Sequence, residues 1–261
     1  MSSSSSRPFI LISNDDGYKA PGINFLIDVL RPIADLVIVA PKGVRSGFGC
    51  AITVTQPIHC KLVRQEEGLD LYACTGSPVD CVKLFFNVLK RNYNRLPDLV
   101  VSGINHGDNS SVNTFYSGTM GAASEGVMQG APGIGFSYDN FSTSVDMSPC
   151  APHIINIVQQ VLRDGLPPLS TLNVNFPNTS DIQGVKLCRM ARSRWINEME
   201  ERVRPRTNAP YYWLTGEPLE LEPEAEDTDR WALAHGFVAI TPQTLDATNY
   251  ALLQQLQSQW R

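Results

Sequence analysis

The chain reads as an α/β protein built on a mostly parallel sheet. Three observations point there. Short apolar runs alternate with helix-like runs through the first two thirds, as expected of successive βαβ units. The apolar runs are too β-branched and too continuous to be half-exposed strands. Two adjacent carboxylates, Asp15 and Asp16, follow the first run directly, and ligands in open parallel sheets bind at the carboxyl ends of strands.

Phe9–Ser13 is the first expected strand, and Pro21-Gly22 opens a helix through about Leu30, proline being favoured in a first helical turn. Leu36–Ala40 is the second strand, followed by the polar loop Pro41–Gly49. Leu69–Ala73 is the next strand, and Thr75-Gly76-Ser77-Pro78 leads into an apolar helix from Val79 to about Leu89. Leu99–Ser102 precedes a loop from Gly103 to Gly118 and a small-residue helix from Thr119 to Gln129. Ile134–Ser137, a helix around Ile154–Leu162 and Leu172–Phe176 complete the regular part.

After Pro177 the composition changes. Six arginines lie between Arg189 and Arg206, then seven acids between Glu217 and Asp229, with Pro205, Pro210, Pro218 and Pro223 interspersed. Opposite charge in consecutive segments suggests an extended arm whose halves pair with each other or with another subunit. Phe237–Thr241 reads as a returning strand and Tyr250–Trp260 as an amphipathic helix. The expected organisation is a disordered tail over residues 1–8, an α/β catalytic core over 9–177 and a C-terminal segment over 178–261.

The 261 residues are 43% hydrophobic, enough for one sizeable core. A net charge of -5 argues against binding a nucleic-acid polymer, which needs a basic surface. No apolar run approaches the roughly 20 residues that span a bilayer. Six cysteines without a CxxC pair, behind a serine tract instead of a leader, read as reduced thiols in a cytoplasmic protein.

Asn14-Asp15-Asp16-Gly17 has two readings, a plain turn of good turn formers or a site. Ser46, after the second strand, and Asn105, after Ser102, fall on the same sheet edge if the crossovers are right-handed. Two carboxylates, a hydroxyl and an amide carbonyl form an all-oxygen set suited to Mg²⁺ or Mn²⁺. With fewer than six protein ligands there is room for water and a substrate phosphate. Tyr116-Ser117-Gly118-Thr119, feeding into a helix, reads either as a phosphate cradle or as an ordinary N-cap. His106, beside Asn105, is either a general acid or a bystander.

In this order and spacing the motifs resemble the SurE family of metal-dependent nucleotidases. The resemblance rests on Asn14-Asp15-Asp16-Gly17, Arg45-Ser46-Gly47, Thr75-Gly76-Ser77-Pro78-Val79-Asp80-Cys81, Asp98 through Asn105, Tyr116-Ser117-Gly118-Thr119, Leu172 through Pro177, and Asp227-Thr228-Asp229. It covers most of the chain. It implies a Rossmann-like three-layer parallel sheet core with an extended C-terminal β-hairpin arm and tail.

By the same resemblance Asp15, Asp16, Ser46 and Asn105 match the ligands of one divalent cation per subunit, with Asp15 or Asp16 as general base. Asn109, Ser117, Gly118 and Thr119 match phosphate-holding positions. The implied activity is hydrolysis of nucleoside 5′- and 3′-monophosphates, in a homodimer or homotetramer joined through the C-terminal hairpin. Two departures stand out: Phe48-Gly49-Cys50-Ala51 replaces a more polar stretch, and Tyr250 stands where some members have histidine. A receiver-like signalling domain also places an acidic pair after its first strand, but here the later strand ends in Thr75-Gly76-Ser77, without an acceptor Asp.

Overall fold

The computed structural model describes residues 7–260. In chain order its strands are β1 (Phe9–Ser13), β2 (Asp35–Pro41), β3 (Cys60–Glu66), β4 (Leu69–Cys74), β5 (Leu99–His106), β6 (Gly133–Tyr138), β7 (Ser170–Phe176), β8 (Val185–Leu187), β9 (Ser193–Ile196), β10 (Met199–Val203), β11 (Pro210–Leu214), β12 (Glu217–Glu220) and β13 (Val238–Thr244). The helices are α1 (Pro21–Leu30), α2 (Pro78–Asn87), α3 (Gly118–Met128), α4 (Ala151–Asp164), α5 (Asp229–Ala234) and α6 (Tyr250–Gln259).

Among the described residues nine strands form one sheet, in the order β3-β4-β2-β1-β5-β6-β7-β13-β8. The block from β4 to β7 is parallel throughout. Antiparallel pairing occurs where β3 meets β4 and where β13 meets β7. The expected α/β core with a parallel sheet is present.

Alternating side chains divide the core between two faces. Ile10, Ile12 and Ile38 pack under α1 and α4 with Ile23, Leu26, Ile154 and Val158. Leu11, Val37 and Val39 pack on the other face with Phe85 and Val82 of α2 and Ala122 of α3. These are the three expected layers. They bury β1 at every position, which is why its sequence is a continuous apolar run.

Several elements differ from the sequence expectation. β3 was not anticipated because Lys61, Arg64, Gln65 and Glu66 break the apolar pattern; it is an edge strand, where charge discourages pairing with other chains. β5 runs on to His106, past the expected end at Ser102. Its register against β6 shifts between Ser102 and Asn105, and this bulge changes the direction in which Asn105 leaves the sheet. Gly103 makes the bulge possible: its φ is +125°, and a Cβ there would lie 2.2 Å from the Phe136 carbonyl oxygen.

Residues 1–6 of the expected disordered tail lie outside the described residues. Arg7 and Pro8 are placed: the Arg7 side chain pairs with Asp35 at 3.3 Å, and the Pro8 carbonyl accepts from Asp35 N at 2.8 Å. The arm after Pro177 is a long hairpin, β9 pairing β12 and β10 pairing β11. Its basic and acidic stretches meet at the base, Arg189 pairing with Asp227 at 2.8 Å and Arg192 N donating to Glu222 at 2.9 Å. The outer hairpin exposes Met199, Val203, Trp213 and Leu214, and α6 buries none of its side chains. Among the described residues no helix is long and apolar enough to cross a membrane.

Candidate active site

The turn after β1 resolves the ambiguity of its sequence. The Asn14 side chain donates to the Gly17 carbonyl at 3.0 Å and accepts from Gly17 N at 3.2 Å. Asn14 and Gly17 therefore build the turn, and the carboxylates of Asp15 and Asp16 take no part in it. The loop after β2 is tied to the same point, Arg45 N donating to the Asp15 carbonyl at 2.7 Å. This brings Ser46 to the Asp15 side of the sheet edge. The Arg45 guanidinium also donates to the Thr75 carbonyl at 3.0 Å, fixing the loop from its other side.

The strand ends converge as right-handed crossovers require. Thr119 Oγ1 donates to Asp15 Oδ1 at 2.6 Å, and His106 N donates to Asp16 Oδ2 at 3.3 Å. Asn105 spends its amide N–H on the Gly107 carbonyl at 2.7 Å, which leaves its Oδ1 as a donor atom for a cation. Gly118 abuts Asp15 so closely that a Cβ would lie 2.8 Å from the aspartate Cβ. Gly118→Ala is therefore expected to push Asp15 out of place, costing about 1–3 kcal/mol of stability and weakening divalent-cation binding; thermal melts with and without Mn²⁺ measure both.

The N-cap reading of the Ser117 loop holds. Ser117 is the N-cap of α3, its hydroxyl oxygen accepting from Met120 N at 3.1 Å. The N–H groups of Gly118 and Thr119 head the helix, where the helix dipole favours an anion. Asn109 lies farther along the sheet edge. Its amide donates to Ser137 Oγ at 2.7 Å and its N–H to Asn175 Oδ1 at 2.8 Å, and neither bond involves the Asp15–Asp16 pair. His106 directs Nδ1 at the Ser142 carbonyl, 3.1 Å away; a carbonyl only accepts, so Nδ1 carries the proton.

Burial governs the electrostatics of this site. Asp15 is 3% exposed, and burial pushes its carboxyl up to about 6; the Thr119 hydrogen bond opposes the rise and the Asp16 charge adds to it. Burial raises Asp16 as well, against the His106 N–H. Among the described residues no ion pair reaches either carboxylate. A buried acid and a partly buried one, adjacent and without a protein counter-charge, fit a divalent cation. Among the described residues no group of three or more His, Cys, Asp or Glu could hold a metal; the expected ligand set adds only a hydroxyl and an amide to its two carboxylates.

A family model described as Survival protein SurE matches residues 10–197. The chain belongs to the SurE family. It is 50% identical over 252 residues to the 5'-nucleotidase SurE of Bacteroides fragilis, covering 97% of each chain. It is 49% identical over 253 residues to the 5'-nucleotidase SurE of Bacteroides thetaiotaomicron, covering 97% of this chain and 96% of that one. The crystal structure of the SurE protein from Aquifex aeolicus superposes with a TM-score of 0.81 at 35% identity, covering 97% of this chain and 100% of the other.

Two stretches of the SurE pattern acquire roles that their sequence alone did not show. Thr171, Asn173 and Asn175 alternate with Leu172, Val174 and Phe176 along β7, and all three polar residues are fully buried. Asn173 donates to the Asn109 carbonyl at 2.7 Å and Asn175 accepts from Asn109 N, so β7 holds the Asn109 loop. Asparagines alternating in a buried strand are the available signal, since buried amides must find partners.

The second stretch contains Asp229, which begins α5 and is fully buried. Its Oδ2 accepts from Ser111 N and its Oδ1 from Ala191 N, each at 2.9 Å. Trp195 Nε1 donates to Asn113 Oδ1 at 2.9 Å, and Arg230 reaches Asp108 at 3.3 Å. The base of the arm thus clamps the segment 108–113 that leads to Ser117.

Proposed function

We propose that the chain is a divalent-metal-dependent 5′-nucleotidase that hydrolyses nucleoside 5′- and 3′-monophosphates to nucleoside and phosphate. The observation that carries this reading is the buried, uncompensated carboxylate of Asp15 beside the N-terminus of α3, next to the partly buried Asp16. Support also comes from relatives at about half identity that bear the name 5'-nucleotidase SurE.

Asp15, Asp16, Ser46 and Asn105 would hold one Mg²⁺ or Mn²⁺. When bound, such an ion supplies neutralisation of phosphoryl charge and acidifies a water. Thr119 orients Asp15 through its hydroxyl, and the N–H groups of Gly118 and Thr119, with Asn109 and Ser117, position the phosphoryl oxygens. Asp15 or Asp16 takes the proton of the attacking water. Tyr116 is exposed on the adjoining loop, whose carbonyl accepts from Gly49 N at 3.0 Å. Base stacking there is worth about 1–3 kcal/mol, so Tyr116→Ala is expected to raise KM for a nucleoside monophosphate roughly tenfold or more with little change in kcat.

The test is phosphate release from nucleoside monophosphates with Mg²⁺ or Mn²⁺, with and without chelator. Turnover that survives the chelator, or none with any phosphomonoester, contradicts the reading. Protons compete with the cation at Asp15, which titrates near 6 in the metal-free protein. Cation affinity, read by calorimetry, is therefore expected to rise as pH rises and to fall off roughly tenfold per unit below that value.

The proposed assembly is a homodimer or homotetramer through the arm. The arm exposes Met199, Trp213 and Leu214, and the C-terminal segment exposes Leu252 and Trp260, large apolar side chains that a partner surface would cover. Replacing residues 199–214 with a short turn is expected to lower the solution mass measured by light scattering; an unchanged mass removes the arm from the interface. The proposed compartment is the cytoplasm, in keeping with six free cysteines.

A further inference from the structure

Cys60, Cys74 and Cys81 come together under the edge of the sheet. Cys60 on β3 lies directly opposite Cys74 on β4, and Cys81 of α2 packs in the same apolar cluster. Thr75 N donates to the His59 carbonyl at 2.9 Å, so the neighbouring rung is the hydrogen-bonded one. The Cys74 carbonyl turns away from β3, accepting from Lys42 N at 2.7 Å.

The Cys60–Cys74 rung is therefore of the non-hydrogen-bonded type. Residues paired in this way have Cα atoms about 4.5 Å apart with their side chains on one face. That separation falls within the range of roughly 4.4–6.8 Å that a disulfide bridges. Cys60 is partly exposed at the edge, while Cys74 and Cys81 are buried behind it.

We propose that Cys60 and Cys74 form a thiol–disulfide exchange site that accepts a low-molecular-weight disulfide. The accessible Cys60 sulfur attacks one sulfur of the small disulfide. The small S–S bond breaks, and the departing thiolate takes up the Cys60 proton. Cys74, already in register, then attacks the Cys60 sulfur of the mixed disulfide and expels the second small thiol, which takes up the Cys74 proton. The protein dithiol is oxidised to a cross-strand disulfide and the small disulfide is reduced to two thiols. The bridge ends one residue before Thr75, whose carbonyl holds Arg45.

The test exposes the full, pre-reduced chain to glutathione disulfide, quenches with acid, alkylates free thiols and maps peptides by mass spectrometry. The expected result is loss of the mass of two hydrogens, a cross-link joining residues 60 and 74, and reversal by dithiothreitol, with the other four cysteines alkylated. Cys81→Ser should form the same bridge, and Cys74→Ser should stop at a mixed disulfide on Cys60. A bridge from Cys74 to Cys81, modification confined to Cys50, or no cross-link at all would overturn the assignment.

Discussion

Asp15→Asn is expected to abolish nucleotidase turnover while raising the thermal stability of the metal-free protein above neutral pH. The two effects share one cause. In the folded chain burial lifts the Asp15 carboxyl from 3.8 to about 6, a shift worth about 3 kcal/mol. The folded state binds the proton more tightly than the unfolded state does, so this group's favourable contribution is complete below pH 3.8 and is lost as pH rises through about 6.

At about pH 8 the metal-free protein therefore carries a buried, ionised and unpaired carboxylate at the full cost of that shift. A neutral amide removes the penalty and still presents an oxygen to the Thr119 hydroxyl. The gain in melting temperature over the parent chain should be largest above the folded pKa and disappear in acid. Adding Mn²⁺ should stabilise the parent but not the variant, because ligand binding stabilises only a chain that binds it. Turnover should fall by on the order of 10³-fold, since the stabilisation a cation supplies is several kcal/mol. A variant that keeps its activity, or melts below the parent in chelator at alkaline pH, contradicts this account of the site.

Asp229→Ala is expected to be the most destabilising single change outside the apolar core. Its carboxylate satisfies the N–H groups of Ser111 and Ala191, and each buried group left without a partner costs about 1–3 kcal/mol. Denaturant melts should show a loss of about 3 kcal/mol or more. The damage should also reach the chemistry, because Ser111 belongs to the segment leading to Ser117 and Thr119. A fall in kcat that Asp229→Asn partly restores would separate this positioning role from general unfolding. Unchanged stability in the alanine variant would show that the clamp does not hold the segment.

The legible parts of the fold are those that short stretches of chain decide. Phe9–Ser13 could be read as a buried strand because nothing polar interrupts it, and Pro21 marked the start of α1 because its fixed φ suits a first turn. β3 was not legible because an edge strand is recognised by its neighbour, and its own charges argue against burial. The extension of β5 to His106 was hidden by Gly103, which reads as a loop residue until Phe136 on the adjacent strand shows why no side chain fits there.

The site divides along the same line. Local chemistry determined that Asn14 and Gly17 would turn the chain and that Asp15 and Asp16 would stand at a strand end, and the spacing of the later motifs carried the family resemblance. Only the tertiary structure decided that Thr119, distant in sequence, would donate to Asp15, and that Asp229 would clamp the loop carrying Ser111. It alone decided how unfavourable the charge on Asp15 is. That property depends on how much water the packed chain excludes and on which opposite charges it withholds, and both are set by residues remote in sequence.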